Sequence, residues 1–169
     1  MKSVVLKLTC GLFLLTILLT GCGLSEEEPA VIAIGSEAPD FSLTSLDGTT
    51  VKSSSLKGSV VVLNFWATWC QPCMGEIPEL KKVAASSQAK VVGIALDQEG
   101  MKTIKPFVSS HSINYTVLVG DEAVFQRFNG LGIPYTLVLD RSQRIVKIYR
   151  GPTTQEAIEQ DLQMIAKGT

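Results

Sequence analysis

The chain has 169 residues, of which 46% are hydrophobic, and its 15 basic and 16 acidic side chains leave a formal charge of −1. That balance excludes the basic surface a nucleic-acid-binding protein needs. The length suits one domain with its own core. In chain order, residues 1–21 place Lys2 and Lys7 ahead of the apolar stretch Leu12–Leu19, the layout of a secretory signal peptide and too short for a membrane span. Residues 22–34 are polar and acidic, with Glu26-Glu27-Glu28-Pro29, and read as a flexible tether. The folded domain is expected over 35–169. There Phe41–Leu43 and Thr50-Val51 flank Asp47-Gly48, a hairpin turn signal. Val60–Trp66 is a continuous apolar run, the pattern of a strand buried on both faces. A helix over 71–87, interrupted by Pro78, precedes a second buried strand over Val91–Leu96. Met101–Ser110 reads as a helix limited by Pro106, Tyr115–Val119 as a short strand, and Asp121–Phe128 as a short helix started by its acidic pair. Tyr135–Leu139 and Arg144–Tyr149 form a second hairpin, and Thr153 or Thr154 caps a final helix reaching Ala166. The order predicts an α/β fold with a mixed sheet flanked by helices.

The chemistry concentrates at Cys70-Gln71-Pro72-Cys73, where the strand ending at Trp66 gives way to a helix. Thiols three apart on a helix are neighbours on one face and can close a small disulfide ring. Free N–H groups and the positive end of the dipole at the helix start favour thiolate over thiol. Cys70 comes first and is the expected nucleophile, exposed at the junction; Cys73, one turn deeper, would resolve a mixed disulfide. Pro72 withholds an N–H and stiffens the loop, and neutral Gln71 leaves the thiolate without a charge beside it. A zinc site would need two further ligands, which a chain with one histidine hardly supplies, so no metal or other cofactor is expected. Glu76 lies three positions after Cys73, on the same side of the helix. It reads either as a surface carboxylate or, if burial raises its pKa, as the acceptor of the Cys73 proton. Trp66 reads as core and Trp69 as a border of the active-site surface. His111 lies far from the dithiol in sequence and reads as an ordinary histidine.

Phe65-Trp66-Ala67-Thr68-Trp69-Cys70-Gln71-Pro72-Cys73, with Ile133-Pro134 downstream, resembles the thioredoxin superfamily. Ala38-Pro39-Asp40-Phe41, the extra leading hairpin and the signal segment resemble its membrane-anchored TlpA/ResA branch. The resemblance spans residues 35–166 and implies a thioredoxin-like fold with an additional N-terminal β-hairpin. It implies that Pro134 is a cis-proline packed against the dithiol, where Ile133 can pair with extended substrate. It assigns Glu76 to a functional glutamate of ResA-like proteins. The chain departs from ordinary thioredoxins at Asn64, where they carry a buried Asp, and from many ResA-like proteins at Gln71, where Glu is frequent. Leu19-Thr20-Gly21-Cys22 resembles the bacterial lipoprotein signal. That resemblance implies cleavage before Cys22, lipidation of its sulfur, and loss of Cys10 with the leader.

These features predict an extracytoplasmic thiol-disulfide oxidoreductase acting through Cys70 and Cys73, with Trp69, Gln71, Pro72, Ile133 and Pro134 meeting the substrate. The branch implies reduction of protein disulfides, such as apocytochrome c haem-site cysteines. Electrons would come from a membrane thiol donor to a monomer held at a bacterial membrane by its lipid. Two alternatives on the same fold are a peroxiredoxin-like thiol peroxidase and a Cu(I) carrier. A peroxidatic cysteine is usually met in a Pro-x-x-x-Thr-x-x-Cys context, and Ala67 stands where that threonine would be. Copper carriers space their cysteines one residue wider and add a histidine, for which His111 is the candidate.

Overall fold

The structure, a computed structural model, describes residues 32–168; the predicted signal segment, nearly all of the tether, Cys10 and Cys22 lie outside them. Ser42–Ser45 (β1) and Thr50–Lys52 (β2) pair antiparallel around the Asp47-Gly48 turn, where Gly48 adopts a φ of +90° that favours glycine. A 3₁₀ turn at Ser53–Leu56 follows. Its serine-rich sequence has no apolar period and announces nothing. Val61–Trp66 (β3) leads to the helix Gln71–Ala85 (α1), then Lys90–Ala95 (β4), Met101–Ser110 (α2) and Thr116–Val119 (β5). Glu122–Arg127 (α3), Tyr135–Leu139 (β6), Ile145–Arg150 (β7) and Gln155–Ala166 (α4) complete the chain. Asp121 and Thr154 cap α3 and α4 by accepting from Val124 N–H and Ala157 N–H. Pro78 lies inside α1, which continues through it.

The seven strands form one mixed sheet in the order β2-β1-β5-β4-β3-β6-β7. β3 is an interior strand, parallel to β4 and antiparallel to β6, and all its residues are buried, as its unbroken apolar run requires. Its side chains alternate between two cores. Val61, Leu63 and Phe65 join Phe41, Phe125, Phe128 and Tyr135 on one face. Val62 packs on the other with Leu80 and Val83 of α1 and Ile158 and Leu162 of α4. Asn64 falls on this second face, so the alternation sets a single amide beneath α1. Among the described residues no helix is long and apolar enough to cross a membrane.

The segment entering the domain is tied to the β6–β7 turn. Gly35 N–H donates to the Ile145 carbonyl at 2.7 Å, Ala38 N–H to that of Gln143 at 2.9 Å, and Arg144 Nη1 to that of Gly35 at 2.8 Å. Ile32, within the span read as tether, already packs against the core.

Candidate active site

β3 ends at Trp66, and the chain must turn before α1 begins at Gln71. Asp97, which follows β4 in the sheet, holds that turn. Its carboxylate accepts Thr68 N–H at 3.1 Å and the Thr68 hydroxyl. Cys70 then serves as the N-cap of α1, its sulfur accepting Cys73 N–H at 3.2 Å. The two cysteines are joined in a disulfide, with their Cα atoms 5.3 Å apart. Cys70 was expected to be exposed, but it is only 4% exposed, against 1% for Cys73. Its sulfur is turned towards Cys73 in the bond, and Trp66, Ala67 and Ile77 pack around the pair. The exposed residues are its neighbours Trp69, Gln71 and Pro72, with Trp69 at 71%.

One turn beyond Cys73, Glu76 is 1% exposed rather than a surface carboxylate. It faces the Asn64 amide that the β3 alternation places under the helix. Asn64 Nδ2 donates to Glu76 Oε2 at 3.1 Å and to Thr136 Oγ1 at 2.8 Å, and the Thr136 hydroxyl donates to Glu76 Oε1 at 3.1 Å. Burial raises the Glu76 pKa from 4.5 to about 7, and hydrogen bonds from Thr136, the Thr153 backbone and Asn64 only partly offset it. Burial, with a smaller contribution from the Glu76 charge, also holds the nearby Tyr115 phenol above its ordinary range. The oxidised dithiol therefore sits one helical turn from a buried carboxyl able to exchange a proton near neutral pH.

β6 brings the third part. Its antiparallel register on β3 pairs Phe65 with Tyr135, so Ile133-Pro134 arrives at the end of β3 that leads to the dithiol. The Ile133–Pro134 bond is cis, and Ile133 packs against the cluster containing both cysteines. His111 stays apart, exposed at the end of α2 and stacked on Phe107 at 3.9 Å. Sequence reading missed Thr136 and Asp97. Thr136 reaches Glu76 because it lies opposite Asn64 across the β3–β6 pairing, a register no local pattern reveals. Asp97 carries a usable signal, a charged residue two positions after a buried parallel strand, where α/β sheets place their functional groups.

A family model described as the AhpC/TSA family matches residues 34–159. The chain is 31% identical over 168 residues to a thiol-disulfide oxidoreductase ResA from Bacillus thuringiensis subsp. konkukian, covering 97% of this chain and 94% of that protein. It is also 31% identical over 134 residues to a thioredoxin-like protein, YneN, from Bacillus subtilis, covering 77% and 79% of the two chains. The crystal structure of a putative thiol:disulfide interchange protein DsbE from Chlorobium tepidum superposes with a TM-score of 0.74 at 28% identity, covering 80% of this chain and 99% of that one.

Proposed function

Because the chain belongs to the AhpC/TSA family, as a ResA-like thiol-disulfide oxidoreductase of thioredoxin fold, we propose that it works outside the cytoplasm as a reductant of protein disulfides. The observation that carries the reading is the buried Glu76, held by Asn64 and Thr136 one turn beyond Cys73. In the reduced protein the Cys70 thiolate attacks a substrate disulfide, and one substrate sulfur leaves as thiolate. Cys73 passes its proton to the Glu76 carboxylate and attacks Cys70 in the mixed disulfide. The second substrate sulfur leaves, and the Cys70–Cys73 bond seen here is formed. Trp69, Gln71, Pro72, Ile133 and Pro134 border the path of the substrate. A haem-site cysteine pair of apocytochrome c is the substrate we favour. Electrons return from a membrane thiol donor, and a lipid on Cys22 keeps the monomer beside both partners, raising their effective concentration.

The test is the midpoint potential of the Cys70–Cys73 couple with thiol trapping in redox buffers. A reductant gives about −250 mV or lower, whereas a value near about −120 mV identifies a disulfide donor and overturns the direction proposed. Glu76→Gln should slow disulfide reduction by roughly a hundredfold at neutral pH. Unchanged turnover removes Glu76 from the mechanism. Reduced protein that consumes peroxide faster than protein disulfides belongs to the peroxidase alternative instead.

A further inference from the structure

Beside the dithiol, Trp69, Leu96, Phe125 and Ile133 line a groove of 650 Å³ that runs between the loop after β4 and the start of α3. Its apolar wall is open to solvent at Trp69, which is 71% exposed, and Leu131, next in the chain to the lining residue Gly132, is 84% exposed. Its charge has one sign. Asp97, Asp121 and Glu122 line it, and among the described residues no lysine, arginine or histidine does. Asp97 is buried and occupied by Thr68, whereas Asp121 and Glu122 are exposed on the rim. The start of α3 does not counter them with its free N–H groups. The helix has six residues, and Asp121 takes the Val124 N–H at 2.8 Å.

We propose that this groove selects extended substrate segments bearing a lysine or arginine close to an apolar residue and the target cysteine. The inference rests on the disulfide-exchange reading above and adds to it a substrate class. With Trp69 and Ile133 at the dithiol end and Asp121 and Glu122 further along, a segment whose cysteine meets Cys70 lays its neighbouring residues past the carboxylates. A cation there lowers the energy of the mixed-disulfide complex and speeds encounter, while an anion is repelled.

The experiment uses the full chain, reduced, with three disulfide-bearing peptides identical except for Lys, Gln or Glu two residues from the cysteine. The second-order rate of peptide reduction should fall in that order. The Lys-to-Glu ratio should be roughly tenfold at low ionic strength and collapse in molar salt. Glu122→Gln should shrink the ratio and Glu122→Lys should reverse the order. Equal rates for the three peptides, a preference for Glu, or a ratio indifferent to both salt and residue 122 overturns the inference while leaving disulfide exchange standing. Failure to reduce any of the three overturns the exchange reading and this inference together.

Discussion

At the scale of single residues, Glu76 is the carboxyl whose chemistry the fold alters most within the site. Its pKa is raised from 4.5 to about 7, so the folded protein holds its proton more tightly than the unfolded chain does. The sign follows from that. The stabilisation of the protonated form is complete below about pH 4.5, declines as pH rises, and is gone above about pH 7. Urea unfolding of the oxidised protein should therefore lose on the order of 3 kcal/mol from this group between those limits. Glu76→Gln, which keeps the shape and loses the charge, should flatten that slope. A slope unchanged in the variant assigns the pH dependence to other groups. Glu76 was legible as a candidate from its spacing to Cys73, but its burial was not. The spacing gives the side of the helix, and only the packing of α1 on β3 and the Asn64–Thr136 pairing decide that this side is dry.

At the scale of elements, the long apolar runs told most. The strand through Trp66, the helix from Gln71 and the two hairpins lie within a residue or two of where periodicity and turn residues put them, because burial and capping decide those boundaries locally. What local pattern cannot decide is how the linker between β3 and α1 is held. Asp97, 29 positions from Thr68, does it through the Thr68 N–H and hydroxyl. Replacing Asp97 with Ala removes the acceptor of both hydrogen bonds and leaves the Thr68 N–H and hydroxyl without it. The expected cost is about 1–3 kcal/mol. Amide hydrogen exchange over residues 68–70 should quicken in that variant, and disulfide reduction should slow. Protection of these amides equal to the wild type would show that the turn is held by packing alone.

For the molecule as a whole, the sheet separates two poles. The dithiol, Ile133-Pro134 and the acidic groove gather at the carboxyl ends of β3 and β4. The β6–β7 turn, to which Gly35 and Ala38 bond and from which Arg144 reaches back to Gly35, closes the other end. Arg144→Ala should loosen the entering segment by about 1 kcal/mol. It should speed amide exchange at Gly35 and Ala38 while leaving the rate of disulfide exchange as it was. A change in that rate would mean that the two poles communicate.

The knot of hydrogen bonds at Gly35 and Ala38 also fixes an attitude. The six residues of β3 separate the chain's entry from the Trp66 end of that strand by roughly 20 Å of extended backbone. A protein moored by its amino terminus would thus ride with its sulfurs to the open side, like a lamp on a stem. Partners arriving from the aqueous phase would find the reactive face turned towards them. A partner embedded in the mooring surface would be reached only when the domain rolls over, so the length of chain between the mooring point and Ile32, rather than the affinity of the groove, would set how often those two meet.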